Sequence, residues 1–173
     1  NTNHGHQAHG KPNFTLDDNG LIYSPRVPVI ADGETSTISI PSAKSGKKSG
    51  KDNKFIMFDK EDVFYVDIAS VSPINKTKVL DNCGKNDTKK VEKEIRKLME
   101  RKIRNTIYMS AMRADYLILG AFGCGSFGND PKQISRIFRK VLIKQHYANY
   151  FKRVHFAIGG NKQIFDIFKN IKD

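Results

Sequence analysis

Residues 114–131 read Ala-Asp-Tyr-Leu-Ile-Leu-Gly-Ala-Phe-Gly-Cys-Gly-Ser-Phe-Gly-Asn-Asp-Pro. Tyr116–Leu119 is a short apolar run, which is typical of a strand covered on both faces. Four glycines follow within nine residues, and they allow a ligand to approach the backbone N–H groups closely. Asp130 and Pro131 are residue types that cap and begin a helix. A strand, a glycine loop and a helix N-terminus together predict a phosphate cradle. The simpler alternative is a tight turn, although ordinary turns rarely need four glycines.

Helices and strands alternate through the second half of the chain. A 3.6-residue apolar period predicts a helix over Thr88–Arg113 and another from Pro131 to about Tyr147. The apolar face of the first helix is expected to contain Val91, Ile95, Leu98, the stem of Lys102, Ile103 and Ile107. Arg153–Ile158 is expected to be a strand, and Asn161 is expected to cap a last helix. The resulting β-α-β-α-β-α order predicts an α/β fold with helices on both faces of a sheet.

The first half is richer in extended segments. Leu21–Ile30 contains two prolines, which limit it to an edge strand or a kinked strand. Short strands are expected within Thr35–Ile40 and Phe55–Phe58, and the apolar run Val63–Val71 is typical of a central strand that Asp67 interrupts. Asn75–Asn86 is expected to be loop.

Two segments are expected to lie outside the core, since residues 1–20 show no apolar periodicity and residues 42–54 contain no core-forming residue. Residues 1–20 are polar and predict a loop or tail, and residues 42–54 are a Ser/Gly/Lys tract that predicts a flexible basic insertion. His4, His6 and His9 stand in the first segment without Cys or carboxylate partners at ligand spacing, so a metal site is not expected. Residues 21–173 are therefore expected to form the folded domain.

The composition of the chain limits the classes of partner and the cell compartment that are expected for this protein. The 173 residues carry 30 Lys+Arg against 18 Asp+Glu, a net charge of +12 that favours a polyanionic partner. There is no apolar run of membrane-spanning length and no apolar leader at the start of this sequence. Cys83 and Cys124 are expected to be free thiols in a reducing compartment such as the cytoplasm. Lysine and asparagine richness also suits a secreted bacterial effector that acts in a host cytosol.

The glycines also match dinucleotide-binding patterns, which other residues contradict. Gly123-Cys-Gly-Ser-Phe-Gly128 formally fits G-x-G-x-x-G, but only one further strand is predicted after it. The acidic residue that binds the ribose should follow about 20 residues later, yet there is no Asp or Glu between Pro131 and Phe165. A Walker loop is excluded because no Gly-Lys-Ser/Thr closes the motif.

The loop Gly120-Ala-Phe-Gly-Cys-Gly-Ser-Phe-Gly-Asn-Asp-Pro131 resembles the second glycine loop of microbial macrodomains of the poly(ADP-ribose) glycohydrolase type. Ile22-Tyr-Ser-Pro-Arg-Val-Pro-Val29 is similar to a strand of that family, as are Val66–Pro73 and Val154–Ile158. The resemblance covers roughly Leu21–Asp173, the C-terminal part of the family's domain. It implies a three-layer α/β/α macrodomain with a mixed central sheet, incomplete within this chain, that binds ADP-ribose and needs no cofactor.

The resemblance also implies which residues contact the ligand. In the family this loop wraps the diphosphate and the distal ribose through backbone N–H groups. Ile158 stands where the family has an aromatic residue close to the ribose. The residues at matching positions, or adjacent to them, are Gly120, Phe122, Gly123, Cys124, Gly125, Ser126, Phe127, Gly128, Asn129 and Ile158. The two phenylalanines fit core packing equally well, and Cys124 is better explained as a small side chain than as a nucleophile.

The family's catalytic residues have no counterpart in this sequence. They are adjacent glutamates in a Gly-Gly-Gly … Gln-Glu-Glu stretch that precedes the Tyr-Ser-Pro strand, and nothing before Tyr23 resembles it. One explanation places the first glycine loop on a separate or cleaved N-terminal half of the same domain. The other is a diverged protein in which an aspartate protonates the leaving group, with Asp17, Asp18, Asp32 and Asp67 as candidates. The catalytic residues are therefore not assigned.

Three functions are compatible with the sequence. The leading hypothesis is a glycohydrolase that removes poly- or mono-ADP-ribose from proteins. The missing glutamates motivate a second, a non-catalytic ADP-ribose reader. The net charge of +12 motivates a third, a nucleic-acid-binding module, which lacks interleaved aromatic residues and a recognition helix. The expected partners are ADP-ribose or ADP-ribosylated proteins, and no membrane.

Overall fold

The computed structural model describes residues 20–32, 38–39 and 54–171. The chain divides into two compact units, of which the larger contains Val71–Asp173 and the smaller contains Tyr23–Ser70. The polar start with its histidines, Asp17 and Asp18, and the basic insertion up to residue 53 lie outside the described residues.

The described residues of the smaller unit form five strands. They are β1 (Ile22–Val29), β2 (Ala31–Asp32), β3 (Ile38–Ser39), β4 (Lys54–Met57) and β5 (Phe64–Ser70), with a 3-10 turn at Lys60–Asp62 before β5. β1 pairs with β5, and β4 lies between β2 and β3 in an antiparallel sheet. The extended segments predicted in the first half are therefore confirmed where the structure describes them.

The predicted burial of β5 is wrong. Phe64 and Tyr65 are 51% and 55% exposed, and Ile68 is 42% exposed. Among the described residues β5 pairs with β1 alone, so it lies at a sheet edge. An apolar run of this composition is typical of a strand whose faces are covered, and the described chain does not cover this one.

The larger unit follows the predicted alternation. Its elements are α1 (Lys76–Asp81), α2 (Thr88–Ala111), β6 (Tyr116–Leu119), α3 (Pro131–Arg139), β7 (Arg153–Phe156) and α4 (Lys162–Phe168). A π-helical turn over Lys140–Lys144 continues α3, and 3-10 turns lie at Lys85–Asp87 and Tyr147–Tyr150. The caps are as predicted, because Asp130 accepts from the N–H of Lys132 and Asn161 accepts from that of Ile164. The prediction of loop over Asn75–Asn86 is wrong, because Asn75 caps α1.

β6 and β7 form a parallel pair in which Leu117 lies opposite Val154 and Ile118 opposite His155. One face of this pair packs on a core formed by α2, α3, the π-helical turn and α4. That core contains Ile95, Met99, Ile103, Ile107, Leu117, Ile134, Ile137, Phe138, Val141, Leu142, Phe151, Phe168 and Ile171. Phe138, Phe156 and Phe168 meet edge-on or tilted within it, with ring centroids 5.1–6.1 Å apart.

The other face of the β6–β7 pair is open. Tyr116 is 60% and Ile118 is 71% exposed, although Leu117 between them is buried. The predicted limits of this strand are confirmed, but the prediction that both of its faces are covered is wrong. Parallel strands are normally buried on both faces, and the described residues supply a covering layer on only one.

Candidate functional site

The glycine loop joins the carboxyl end of β6 to the N-terminus of α3. Short backbone hydrogen bonds fold it into successive turns: the N–H of Cys124 donates to the carbonyl of Ala121 at 3.0 Å, and that of Gly128 donates to Gly125 at 3.0 Å. The N–H of Asn129 closes the outer turn on the carbonyl of Gly123 at 3.1 Å. The loop is therefore a folded element with its own hydrogen bonds.

Two of the glycines are required by the geometry of the loop. Gly123 and Gly128 have φ values of +73° and +68°, in the left-handed region that side chains disfavour. A Cβ on Gly123 would lie 2.7 Å from the amide nitrogen of Asn129 and 2.9 Å from Cβ of Pro73. A Cβ on Gly128 would overlap the hydroxyl of Thr77. Gly125, by contrast, has nothing within 4 Å of the position its Cβ would take.

Asn129 fastens the loop to the chain before α1. It is 3% exposed, and its Nδ2 donates to the carbonyl of Ile74 at 2.8 Å and to that of Gly123 at 3.1 Å. The N–H of Lys76, in the first turn of α1, donates to the carbonyl of Phe127 at 2.9 Å. The short segment from Pro73 to Thr77 is therefore the support of the loop, a role that sequence reasoning missed because it assigned this region to a loop.

Three consecutive backbone donors in the loop are unused. Within the part of the chain that the structure describes, the N–H groups of Gly125, Ser126 and Phe127 have no hydrogen-bond acceptor. They are followed by the N-terminus of α3, where the helix dipole places a partial positive charge. Consecutive free N–H groups beside a helix N-terminus are the donors that anion-binding sites use, so they are available for the phosphate that the sequence predicts here.

The aromatic and cysteine side chains of the loop have separate roles. Phe122 is half-buried and packs on the core, whereas Phe127 is half-buried without belonging to the core cluster. Burial, with a smaller contribution from the Asp130 carboxylate, raises the pKa of the Cys124 thiol to about 11. A thiol with this pKa is protonated at neutral pH, so Cys124 is unsuited to act as a nucleophile.

Ile158 follows β7 at the carboxyl-terminal edge of the sheet pair, where the glycine loop also begins. The carboxyl ends of two parallel strands meet at one sheet edge, and the N–H of Ala157 donates to the carbonyl of Leu119 at 2.7 Å. The Ile158 side chain lines a cavity of about 270 Å³ together with Phe156 and Phe165. Gly120 begins the loop at the same edge, since a Cβ on it would lie 4.0 Å from the carbonyl oxygen of Ala157.

The candidate carboxylates have other contacts where they are described. Asp67 in β5 accepts from the hydroxyl of Tyr23 and, at 2.8 Å, from the N–H of Arg26. It therefore anchors β1 to β5 within the smaller unit. The side chain of Asp32 and the residues Asp17 and Asp18 lie outside the described part of the chain.

In residues 20–32, 38–39 and 54–171 no three His, Cys, Asp or Glu side chains are grouped to hold a metal ion. Within the same ranges no helix is both long and apolar enough to cross a membrane.

Comparison with known proteins identifies the fold. No family model and no curated protein sequence matches this chain. Poly(ADP-ribose) glycohydrolase from Deinococcus radiodurans in complex with ADP-ribose is similar in structure, with 23% identity and a TM-score of 0.62 over 87% of this chain and 51% of that chain. Its apo form gives 22% identity, a TM-score of 0.62 and coverages of 87% and 52%. Poly(ADP-ribose) glycohydrolase from Thermomonospora curvata is similar with 23% identity and a TM-score of 0.61, over 87% of this chain and 46% of that chain.

The fold of this chain is thus the α/β fold of the bacterial poly(ADP-ribose) glycohydrolases, as the resemblance of the glycine loop predicted. The chain spans about half the length of these neighbours.

Proposed function

We propose that the glycine loop binds the diphosphate of ADP-ribose and that the protein is an ADP-ribosyl glycohydrolase. The observation that carries the proposal is the row of unused N–H groups at Gly125, Ser126 and Phe127, next to the N-terminus of α3. A diphosphate is the anion that such a row fits, since each phosphate presents several acceptor oxygens. The structural neighbours include a glycohydrolase in complex with ADP-ribose, which agrees with this ligand.

Calorimetric titration of the full-length protein with ADP-ribose tests the binding step. Gly125→Val would place a branched side chain beside the free N–H groups, at a position where φ is not in the left-handed region and no atom is nearby. It is expected to weaken ADP-ribose binding at least tenfold without lowering the melting temperature. Gly84→Val is the matched control, because Gly84 has an ordinary φ of −63° and lies outside the loop. No heat of binding with the wild-type protein would refute the proposal.

The hydrolytic step needs carboxylates, and the Asp130 carboxylate at the loop already caps α3 by accepting from the N–H of Lys132. Glycosidic cleavage uses a carboxylic acid to protonate the leaving group or a carboxylate to activate water. We propose that they lie on a polypeptide segment that completes the domain, since the similar structures are about twice as long as this chain. Release of ADP-ribose from a poly- or mono-ADP-ribosylated protein tests this step. Tight binding without release would instead identify a reader.

The open face of β6 is the surface on which we expect the completing segment to pack. Its exposed apolar side chains, Tyr116 and Ile118, have the character of a sheet interior. In a full-length protein with all of its native cysteines replaced by serine, including Cys83 and Cys124, Ile118→Cys should react slowly with a maleimide. Met112→Cys is the control, because Met112 at the end of α2 is 65% exposed in the same unit. Equal labelling rates at the two positions would show that nothing covers this face.

A further inference from the structure

A stripe of basic side chains begins where the glycine loop ends. Basic residues recur at four-residue intervals: Lys132 and Arg136 on α3, then Lys140 and Lys144 at the start and end of the π-helical turn. All four are exposed. We call this set the α3 stripe. Because α3 starts directly after the loop, the stripe leads away from the free N–H groups over about 18 Å, at 1.5 Å per residue.

Few acidic side chains lie close enough to neutralise the positive charge of the α3 stripe. Lys140 pairs with Glu100 of α2, with 2.5 Å between Nζ and Oε1. Elsewhere in the described chain, no carboxylate lies within 4 Å of the amino or guanidinium groups of Lys132, Arg136 and Lys144. On α2, Arg96 and Arg104 lie one turn to either side of Glu100, so they flank the same ion pair with further positive charge.

Other helices of the larger unit have mixed charge. On α2, Glu94 pairs with Lys97 and Glu92 pairs with Lys76 of α1. On α4, Asp166 pairs with both Lys162 and Lys169. Mixed signs are typical of a face that is merely solvated, because like charges four residues apart repel and destabilise a helix. The α3 stripe contains only positive charges, so its side chains repel one another. An anionic partner bound along the stripe would relieve this repulsion.

We propose that the α3 stripe binds the diphosphates of a poly(ADP-ribose) chain whose terminal unit occupies the glycine loop. The proposal rests on the proposed function of the loop. It selects the polymer over a single ADP-ribose as the preferred ligand, since a single unit has its diphosphate in the loop and nothing to place along α3. The flexible polymer gains affinity from the stripe mainly by displacing its own counterions.

The test compares two ligands and two variants of the full-length protein. Arg136→Gln with Lys144→Gln neutralises two of the three stripe residues that have no carboxylate within 4 Å, and it leaves Lys132, next to the loop, unchanged. Lys152→Gln with Lys162→Gln is the control, which removes the same charge from exposed positions outside the stripe. The stripe variant should bind poly(ADP-ribose) about tenfold more weakly and bind free ADP-ribose with wild-type affinity. Its plot of log affinity for the polymer against log salt concentration should be shallower by about 1.4, for two lost phosphate contacts.

The outcomes separate the two proposals. If neither ADP-ribose nor the polymer binds, the proposed function of the loop fails. If ADP-ribose binds and the two variants retain equal affinity for the polymer, the loop proposal stands and the stripe proposal is wrong. If single-stranded DNA of the same charge binds as tightly as the polymer and loses as much affinity in the stripe variant, the stripe is a nucleic-acid surface and its assignment to poly(ADP-ribose) is wrong.

Discussion

The side-chain amide of Asn129 donates to the main-chain carbonyl of Ile74, with 2.8 Å between Nδ2 and the oxygen, although 55 residues separate them. The same nitrogen donates to the carbonyl of Gly123 at 3.1 Å. One buried side chain at the end of the glycine loop therefore contacts the loop backbone at Gly123 and fastens it to the turn before α1. The shape of the candidate phosphate site depends on this amide more than on any other single side chain of the loop.

Replacement of Asn129 should destabilise the protein and the loop together. Asn129→Ala removes both hydrogen bonds of Nδ2 and leaves two carbonyl oxygens without this donor in a buried place. We expect the free energy of unfolding to fall by about 2–3 kcal/mol. Urea denaturation measures the change. Asn149→Ala is the control, because Asn149 is exposed and its replacement should cost less than about 0.5 kcal/mol. Equal effects of the two substitutions would contradict the role given to Asn129.

The glycines of the loop should differ sharply in their tolerance of alanine. Gly128→Ala forces a side chain into the left-handed region and against the Thr77 hydroxyl, so we expect a loss of about 2 kcal/mol or more. Gly125→Ala meets neither obstacle and should leave the free energy of unfolding within about 0.5 kcal/mol of wild type. Thermal and urea denaturation of both variants measure this contrast. A destabilising Gly125→Ala would show that the loop is packed more tightly than its open surroundings indicate.

Local signals in the sequence were enough to predict the glycine loop, but they did not predict the segment from Pro73 to Thr77 that supports it. The glycines, Asp130 and Pro131 act on their neighbours in the chain, so the turns, the cap and the start of α3 could be predicted. Asn129 bonds to a residue far away in the sequence, and no local pattern indicates such a partner.

The core of α2 shows the same limit. The apolar period predicted Ile95, Ile103 and Ile107 correctly, but it favoured Leu98 where Met99 is the buried residue at 1% exposure. Both positions fit the period within one residue, and only the packing partners decide between them. The exposed strands were mispredicted for a different reason, because apolar composition indicates that a face is suited to burial and not which segment buries it.

The thiol of Cys124 should make stability depend on pH. Its pKa rises from 9.0 to about 11 on folding, so between these values the unfolded chain loses the proton that the folded chain keeps. Stability should therefore fall as the pH rises from 9 to 11, relative to a variant without this thiol. We expect about 1 kcal/mol, less than the full shift gives, because the thiol is only half-buried.

Paired urea denaturations at pH 8 and pH 10.5 measure this dependence, with Cys83→Ser as the background so that Cys124 is the sole cysteine. Cys124→Ser in that background is the reference. Relative to the Cys124→Ser protein, the protein that keeps the Cys124 thiol should be less stable at pH 10.5 than at pH 8. A difference that is independent of pH would mean that the thiol is no less easily ionised in the folded protein than in the unfolded chain.

Arg26 has a strained backbone that a glycine should relieve. It lies in β1 with a φ of +53°, and its guanidinium carbon is 4.9 Å from the centroid of the Tyr65 ring. Arg26→Ala and Arg26→Gly both lose this cation–π contact, but only glycine adopts the left-handed region without strain. Glycine should therefore be more stable than alanine at this position by about 1 kcal/mol, after its greater freedom in the unfolded chain is subtracted.

Arg153 in β7 is the matched control, since it is exposed and does not have a positive φ. There alanine should be the more stable residue by about 0.5–1 kcal/mol. Urea denaturation of the four variants measures both differences, and the same sign at both positions would show that the backbone of Arg26 is not strained.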